Sequence, residues 1–362
     1  MKAVIYHAHD DIRLEDVPLP TLQAGELLIR VDGCGLCGSD ILKIVQQVPP
    51  PVRLGHELTG TIVELRQPVK GFTAGQRVVV AHHVPCGSCH YCRHNNYSMC
   101  TSFKASNVDP CGFAEYLRVP VANVQQTTLA LPESMSAELG SFVEPLACCV
   151  RAVRRTPLLD GDSAMVVGLG SVGLLMVQAL KGLATRAGRE VNVYGIDLLP
   201  ERLRLARELG ADLAIDASTD QQIVRQIIAE QTAGRGVDAA IITAPGARPF
   251  LTALASVRKG GILNVFAAHS GSVPLDLELL YKQELTLNST YSSSPADLPL
   301  ALDLLASRQV RVDSLISHRL PLARFAEGVA LMRERAALKV YFPITNTEST
   351  QPHREMIGDS NG

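Results

Sequence analysis

The stretch Ala164-Met165-Val166-Val167-Gly168-Leu169-Gly170-Ser171-Val172-Gly173 joins an apolar run to a glycine-rich turn. Residues 164–167 have the composition of a buried strand, and residues 172–183 follow with the apolar pattern of a helix. A Gly-x-Gly-x-x-Gly turn between a strand and a helix allows a tight bend and brings a pyrophosphate close to the start of the helix. The turn alone is a weak signal, so its meaning depends on the chain around it.

The chain after this turn alternates between strands and helices about five times. Each short apolar run is followed by a longer run with helical spacing, such as the helix that begins at Pro200 and ends before Gly210. Further strands are predicted at residues 191–196, 213–215, 238–243 and 261–266, and further helices at about 220–229 and 249–257. This alternation predicts an α/β fold with a doubly wound parallel sheet.

An acidic residue, Asp197, ends the second strand of this region, 24 positions after Gly173. A carboxylate there can accept hydrogen bonds from the adenine ribose hydroxyls and repel a 2′-phosphate, which favours NAD over NADP. The alternative is an ordinary loop carboxylate, and the position at a strand end favours the first interpretation.

The residues before the sheet have a different character, because prolines and glycines separate short strand-like pieces. These pieces fall at residues 3–6, 26–31, 60–65, 76–81 and 115–119. They predict an irregular β-barrel or sandwich with long functional loops.

The last part of the chain predicts a return to this β-rich half. Helices are predicted at residues 298–306 and 325–333, and strands at 315–319 and 339–342. We expect a first domain at residues 1–147, a sheet domain at 148–293, a return at 294–344 and a disordered polar tail at 345–362.

The overall composition is that of a globular protein. A length of 362 residues favours two domains, and 46% of the residues are hydrophobic while 19% are charged. A formal net charge of -2 gives no electrostatic case for binding nucleic acid or an anionic membrane. The first ten residues lack a signal peptide, and the uncharged run 164–180 is shorter than the ~20 residues that span a bilayer. We therefore expect a cytoplasmic enzyme.

Four of the nine cysteines form a tight group at residues 86–100. Cys86, Cys89, Cys92 and Cys100 follow the pattern Cys-x2-Cys-x2-Cys-x7-Cys. Two-residue spacers let neighbouring thiolates face one tetrahedral centre, and four sulfurs leave no open position. This pattern predicts a structural zinc in a lobe at about residues 84–102. An iron–sulfur cluster and redox-active thiols are the alternatives.

A second group of candidate ligands begins with Gly33-Cys34-Gly35-Leu36-Cys37-Gly38-Ser39-Asp40. A cysteine, a hydroxyl and a carboxylate among glycines suggest that Cys37 is a thiolate ligand of a reactive metal. His56 and Glu57 follow nineteen residues after Cys37, and taken alone they could be a solvated surface pair. Glu144 is a lone carboxylate among apolar residues and is a candidate third ligand. Its spacing alone favours the other interpretation, a charged residue at the start of a helix beside Pro145.

These motifs in this order resemble the zinc-dependent medium-chain dehydrogenase/reductase (alcohol dehydrogenase) superfamily, and within it the sorbitol or polyol dehydrogenase branch. The resemblance covers residues 1 to about 342 and includes Gly-x-Cys-Gly-Ser-Asp, Gly-His-Glu, the four cysteines, Glu-Pro-Leu-Ala and the glycine turn. It implies a GroES-like β-rich catalytic domain and a Rossmann coenzyme domain. The implied reaction is the reversible oxidation of a secondary alcohol or polyol to a ketone with hydride transfer to NAD. The implied assembly is a homodimer or homotetramer.

The resemblance also implies a role for each residue of the metal site. Cys37, His56 and Glu144 would hold a catalytic zinc, with Glu57 just behind it, linked through water or binding transiently. Asp40 would orient His56, as ligating histidines usually require. Ser39 would accept the alcohol proton, but Leu42 occupies the position of the histidine that continues this relay in many relatives. Cys148 and Cys149, four and five residues after Glu144, are interpreted as small buried residues.

The cofactor contacts implied by the resemblance fall on four segments. The glycine turn would contact the pyrophosphate, Asp197 the adenine ribose and Arg202 the adenosine, while two later strand ends would line the nicotinamide. The residues are Gly168, Gly170, Ser171, Val172 and Gly173 in the turn, and Phe266, Ala267, Ala268, Thr290 and Tyr291 at the strand ends. The alternative for Arg202 is a solvated helix arginine.

Two departures from the polyol enzymes weigh against sorbitol itself as the substrate. The loop between Cys37 and His56 is short, and Thr290 stands where those enzymes have an arginine. The class of substrate, a secondary alcohol or a sugar-like polyol, is unaffected. Two other functions stay open at this point: a metal-independent medium-chain enone or quinone reductase, and a non-catalytic nucleotide-binding regulatory protein.

Overall fold

The computed structural model describes residues 1–344 apart from Asp10, Pro68 and Ser270. The tail predicted to be disordered, residues 345–362, lies outside the described residues. No helix in the described part of the chain has the length and apolar character needed to cross a membrane.

The first half of the chain forms mainly antiparallel strands. Its strands are β1 (Lys2–Ala8), β2 (Asp11–Asp16), β3 (Leu27–Gly35), β4 (Glu57–Leu65), β5 (Arg77–Val80), β6 (Tyr116–Val119) and β7 (Thr128–Ala130). Its helices are α1 (Gly38–Val45), α2 (His90–Arg93), α3 (Val121–Gln126), α4 (Ala137–Ser141) and α5 (Val143–Arg154), with a 3₁₀ turn at Tyr97–Met99. The first two strands pair with each other, and β3 lies at the centre of the larger sheet, where it pairs with β4 and β6.

The second half contains the predicted parallel sheet. Its strands are β8 (Ser163–Val167), β9 (Asn192–Asp197), β10 (Leu213–Asp216), β11 (Val237–Ile242), β12 (Val257–Val265) and β13 (Thr286–Ser289). Its helices are α6 (Ser171–Arg186), α7 (Pro200–Glu208), α8 (Gln221–Gln231), α9 (Ala247–Ser256) and α10 (Leu277–Gln283). The strand order is β10-β9-β8-β11-β12-β13, and β8 and β11 are buried at every residue, as expected for strands that are covered on both faces.

The order of the parallel strands reverses between β8 and β11. In a doubly wound sheet, ligands bind at such a switch point, outside the carboxyl ends of the strands. The glycine turn follows β8 directly and therefore lies at this position. The fold class predicted from the sequence is confirmed.

The last residues return to the first half of the chain. They form α11 (Leu298–Ala306), β14 (His318–Arg319), α12 (Phe325–Arg333) and β15 (Val340–Pro343), with a 3₁₀ turn at Leu322–Arg324. β15 pairs antiparallel with β3, and β14 continues the seven-stranded sheet beyond it. The Phe113 ring lies 4.8 Å from the Phe325 ring and 5.5 Å from the Phe342 ring, between centroids. The domain boundaries at 147/148 and 293/294 stay predictions.

Candidate active site

Strand pairing brings the first candidate ligands together. Cys37 follows β3 and caps the start of α1, while His56 and Glu57 stand at the beginning of β4. Because β3 and β4 pair antiparallel, with Gly35 opposite Glu57, residues nineteen positions apart become neighbours. One ligand atom from each of Cys37, His56 and Glu57 lies within 4.8 Å of the other two.

Asp40 and Ser39 lie next to the two nitrogens of the His56 ring. The fully buried Asp40 accepts a hydrogen bond from the Gly55 N–H at 3.2 Å, and its Oδ1 lies 3.5 Å from Nδ1 of His56. On the other side of the ring, Ser39 Oγ lies 3.4 Å from His56 Nε2 and 3.3 Å from Cys37 Sγ. Burial is the largest effect on Asp40 and raises its pKa, but the charge and hydrogen bond of His56, the charge of Lys43 and the Gly55 N–H together outweigh burial, so the pKa of this carboxyl is lowered.

The electrostatic character of this site suits a cation. Burial favours the neutral imidazole of His56, yet the negative charges of Asp40 and Cys37 outweigh burial and raise the pKa of His56 well above its usual value. A site that stabilises a proton on His56 also stabilises a metal ion at the same place. A thiolate and an imidazole are ligands that zinc commonly takes.

Glu144 is the third predicted ligand, and it lies in the first turn of α5. Its carboxyl is buried, and its pKa is raised by burial, while the charge of His56 opposes this effect. Cys148 Sγ, one turn further along, donates to Oε1 at a distance of 3.6 Å. This thiol is its one hydrogen-bond donor among the described contacts, and Glu144 is not part of the group in which the ligand atoms of Cys37, His56 and Glu57 converge, so its place on the metal stays a prediction. Cys148 itself is only partly buried, whereas Cys149 is fully buried.

Lys339, which was not among the residues predicted from the sequence, lies directly behind the candidate metal site. Its Nζ donates to the two oxygens of Glu57 at 2.6 and 2.8 Å and to the carbonyl of Leu36 at 3.3 Å. Both side chains are 2% exposed. The only available signal was a lysine at the start of a buried strand. The pair holds Glu57 next to Cys37 and His56 and occupies both of its oxygens.

Two further histidines stack beside His56 and were also missed. The ring centroid of His82 lies 4.5 Å from that of His56, and the His83 ring lies 3.7 Å from that of His82. Burial, assisted by the charge of His56, lowers the pKa of His83 to about 3 and the pKa of His82 well below its usual value. Both imidazoles are therefore neutral near pH 7.

The four cysteines of the lobe converge on one point. Their sulfur atoms all lie within 4.8 Å of one another, with Cys89 Sγ 3.5 Å and Cys86 Sγ 4.0 Å from Cys92 Sγ. A tetrahedral zinc with Zn–S bonds of about 2.3 Å separates its sulfurs by about 3.8 Å, so the arrangement fits that ion. The hydrophobic cluster that the described residues of this lobe form is small: Cys92, Cys100 and Phe103 are buried in it, and Cys89 and Tyr97 pack against them. The lobe is too small to hold its shape by hydrophobic packing alone.

The glycine turn fits the phosphates of a dinucleotide. Gly168 has φ +102°, a conformation that side chains disfavour, and a Cβ at Gly173 would overlap the carbonyl oxygen of Gly168. At Gly170, by contrast, a Cβ would meet nothing within 4 Å. Gly170 begins α6 with no side-chain cap, which leaves the first N–H groups of the helix free for an anion.

Asp197 lies at the end of β9, next to the glycine turn. Its two oxygens accept hydrogen bonds from the N–H groups of Leu169 at 2.6 Å and Leu199 at 3.0 Å. Arg202 Nη1 lies 3.6 Å from the same carboxylate. The structure therefore brings both predicted adenosine contacts together and shows that Asp197 also holds the backbone of the turn.

The other predicted cofactor residues lie at the carboxyl ends of neighbouring strands. The N–H groups of Phe266 and Ala267 donate to the carbonyl of Ile242 at 3.0 and 2.9 Å, which places them beside the end of β11. The Thr290 hydroxyl faces inward and bonds to Asn264 at 3.2 Å, whereas Tyr291 is 49% exposed. All of these segments meet at the edge where the glycine turn lies.

Two family profiles match the chain, and they correspond to its two halves. The Alcohol dehydrogenase GroES-like domain matches residues 23–130, and the Zinc-binding dehydrogenase family matches residues 171–307.

Relatives of known activity match over nearly the whole length. A sorbitol dehydrogenase from Halalkalibacterium halodurans is 30% identical, with 94% of this chain and 98% of the relative covered. A D-arabitol-phosphate dehydrogenase from Enterococcus avium is 32% identical, with 94% and 96% covered. Among solved structures, a zinc-binding dehydrogenase from Sinorhizobium meliloti bound to NADP has a TM-score of 0.84 at 26% identity and covers 94% of this chain and 98% of its own.

The fold and the two sites define a zinc-containing, nucleotide-dependent dehydrogenase. The chain belongs to the zinc-binding alcohol dehydrogenase family of medium-chain dehydrogenases. The family resemblance found in the sequence is thus confirmed. The assignment as an alcohol or polyol dehydrogenase that uses zinc and a nicotinamide dinucleotide is confirmed with it.

Proposed function

We propose that this chain reversibly oxidises a secondary alcohol or a sugar-like polyol to a ketone and transfers the hydride to NAD. The observation that carries the proposal is the set of metal-binding side chains that converges at the start of α1 and β4. Cys37 and His56 present a sulfur and a nitrogen to one point, Asp40 lies behind the imidazole, and Ser39 lies beside both ligands. Hydrophobic packing requires none of these polar groups, of which Asp40 and His56 are buried, Cys37 is partly buried and Ser39 is exposed.

The residues of the chain divide the chemistry among them. Cys37, His56 and Glu144 would hold the catalytic zinc, which when bound supplies the positive charge that lowers the pKa of an alcohol oxygen. Asp40 keeps the His56 ring in one orientation. The Ser39 hydroxyl takes the alcohol proton, since it is the polar group adjacent to both ligands. The glycine turn orients the dinucleotide so that its nicotinamide faces the same cleft.

The path of the proton beyond Ser39 differs from that of many relatives. Leu42 replaces the histidine that would follow, and Lys43 is directed elsewhere, 3.5 Å from Asp40 Oδ1 and 3.2 Å from the carbonyl of Arg53. We propose that water carries the proton from Ser39 to solvent.

NAD is the proposed cofactor because of the charge at the end of β9. The Asp197 carboxylate would accept the ribose hydroxyls and repel a 2′-phosphate. Arg202 lies against this carboxylate. The carboxylate therefore partly neutralises the charge of Arg202, which a 2′-phosphate would need for binding. The Sinorhizobium meliloti relative is bound to NADP, so the preference is a property to be measured for this chain.

The substrate is proposed as a class rather than a compound. Two relatives act on sorbitol and D-arabitol phosphate. Here Thr290 is 4% exposed and bonded to Asn264, so the position of the polyol-binding arginine offers no polar group to a substrate. This burial supports a substrate other than sorbitol.

The assembly, location and domain division complete the proposal. We propose a homodimer or homotetramer formed through β13, which is the edge strand of the parallel sheet. All nine cysteines are free of disulfides, which suits the reducing cytoplasm. The catalytic part comprises residues 1–147 and 294–344, and the coenzyme part comprises residues 148–293.

Zinc content measured together with activity tests the ligand assignment. Cys37→Ser and Glu144→Ala should each remove about one zinc per chain and the activity, while circular dichroism and melting temperature stay near those of the wild type. Cys148→Ser is the matched control, because its thiol touches Glu144 without being assigned to the metal, and it should keep both zincs. Retained activity in Cys37→Ser would contradict the assignment. Loss of a zinc in Cys148→Ser would identify Cys148 as the third ligand.

A further inference from the structure

Arg151 is a buried arginine that joins three separate parts of the chain. It lies in the last turn of α5 and is 6% exposed. Its Nη1 donates to the carbonyls of Tyr291 at 2.9 Å and Ser292 at 3.3 Å and to the hydroxyl of Ser98 at 3.3 Å. Its Nη2 donates to the carbonyl of Asn95 at 3.4 Å. One guanidinium thus contacts both the four-cysteine lobe and the segment that follows β13.

The acceptors of Arg151 are all uncharged. No carboxylate in the described part of the chain lies within ion-pair distance of it, and burial lowers its pKa while the more distant charge of Asp297 opposes this effect. A buried cation without a direct partner costs stability, so stability alone does not account for an arginine here. The planar guanidinium offers several donors in fixed directions, which suits a residue that must hold several backbone segments at once.

The two segments joined by Arg151 depend on each other in a second way. Asn95 and Ser98 lie between Cys92 and Cys100, so the lobe metal would fix their positions. Lys104, just beyond the last of these cysteines, lies over the Tyr291 ring with its Nζ 5.1 Å from the centroid. Ser292 has φ +63°, so the backbone bends sharply directly after Tyr291. A bent, half-exposed segment with lobe contacts on two sides takes its position from the lobe.

We propose that Arg151 is a positioning residue that couples the four-cysteine lobe to the nicotinamide-lining segment Thr290-Tyr291. Order in the lobe holds Arg151, and Arg151 holds the carbonyls of this segment, so loosening the lobe weakens the binding of the cofactor at a distance. The inference rests on the proposed function, which assigns Thr290 and Tyr291 to the nicotinamide.

Arg155, the residue directly after α5, provides a matched control. Its Nε donates to the carbonyl of Ser289 in β13 at 3.2 Å, but its bond is exposed and it has no hydrogen bond to the lobe among the described contacts. Arg155→Met therefore removes an arginine bond to the end of β13, directly before the segment that Arg151 contacts, without breaking the connection to the lobe.

Hydrogen exchange on the zinc-loaded protein without nucleotide tests the coupling independently of cofactor binding. Arg151→Met should speed amide exchange at residues 289–293 while both zincs remain, and Arg155→Met should not. Ser98→Ala, a mild change in the lobe, should speed the same amides in the wild-type background and add nothing in Arg151→Met. The coupling is overturned if Arg151→Met leaves this segment unchanged, or if Ser98→Ala acts equally in both backgrounds.

NADH binding followed by fluorescence tests the consequence. Arg151→Met should raise the Kd for NADH about fivefold or more, since hydrogen bonds from a charged donor that hold the binding segment are lost. Arg155→Met should bind NADH as the wild type does. If Arg151 has only a structural role, Arg151→Met should lower the melting temperature and leave the Kd for NADH unchanged. This result would overturn the inference about Arg151 and leave the proposed function standing. A wild-type protein that binds no NADH would instead contradict the proposed function.

Discussion

Glu57 and Lys339 form an ion pair from which water is excluded. Two bonds of 2.6 and 2.8 Å join them, and each side chain is 2% exposed. Two charges in such a place depend on each other, because removing one leaves the other buried and unpaired. Lys282 and Glu278 form an ion pair with the same 2.6 Å separation, but their side chains are about two-thirds exposed. This exposed pair is therefore a control for the buried one.

Lys339→Met should lower the free energy of unfolding by about 3–5 kcal/mol, as expected for breaking a buried pair. Adding Glu57→Gln should restore part of this loss, since the remaining partner is then uncharged. Lys282→Met should change the stability by no more than about 0.5 kcal/mol, because exposed pairs contribute little. Urea denaturation at matched zinc content measures these three proteins and Glu57→Gln alone. A double variant as unstable as the sum of its single variants would contradict mutual dependence.

The sequence predicted the local part of the metal site and missed its distant part. Cys37, Ser39 and Asp40 share one short stretch, whose residue types already indicated chemistry. Lys339 lies 282 residues after Glu57, and nothing in the sequence joins the two until β15 pairs with β3. The stacked His82 and His83 were missed for a similar reason, since only the folded chain places them beside His56.

At the scale of elements, the glycine turn was predictable because its backbone geometry permits few residues. Gly168 needs to be glycine because it forms a tight bend with positive φ. Gly173 needs to be glycine because α6 packs against the carbonyl of Gly168 at this residue. The length of β14 was not predictable in the same way. A strand was predicted at residues 315–319, but only His318–Arg319 pairs, because pairing depends on the position of β15 and not on local apolar character.

Two alanine substitutions in the glycine turn should affect different properties, one the binding of NADH and the other the stability of the fold. Gly170→Ala should fold like the wild type, since its Cβ enters open space, and should weaken NADH binding about tenfold because that space is where the pyrophosphate approaches. Gly173→Ala should destabilise the fold by about 1–3 kcal/mol, because its Cβ overlaps the Gly168 carbonyl. Thermal melting and NADH titration distinguish the two. Unchanged NADH affinity in Gly170→Ala would argue against the phosphate site.

At the scale of the whole molecule, one edge of the parallel sheet is exposed and apolar. β13 is the edge strand, and Leu287 within it is 43% exposed, while Leu277 and Tyr281 of α10 are 73% and 83% exposed. An edge strand offers unpaired N–H and C=O groups to a second strand, and soluble proteins usually protect such edges. This face is the proposed contact between subunits.

Leu287→Lys should lower the molar mass of the proposed homodimer or homotetramer, because it places a charge at the centre of the proposed contact. Leu159→Lys is the control, since Leu159 is 70% exposed in the loop before β8, away from this edge. Size-exclusion chromatography with light scattering gives the molar mass. An unchanged mass in Leu287→Lys would show that the subunits meet elsewhere.

The general architecture was predictable because apolar residues are spaced differently in strands and in helices, and the two spacings alternate over a long stretch of the chain. The return of residues after 294 was also expected, and the pairing of β15 with β3 and the contact between Phe113 and Phe342 describe how it occurs. The connection through Arg151 was not predictable. Three of its four hydrogen bonds go to backbone carbonyls, which leave no sequence pattern, and the fourth goes to the hydroxyl of a single serine, Ser98.

Formation of NADH by the purified two-zinc protein tests the central claim most directly. The protein is given NAD with a panel of secondary alcohols and polyols, with and without phosphate groups, and the NADH absorbance band is followed. We expect a rise with at least one member of the panel and none with Cys37→Ser. An equal rise with Cys37→Ser would indicate a metal-independent reductase, and no rise with any alcohol would indicate a non-catalytic nucleotide-binding protein; either result would contradict the account.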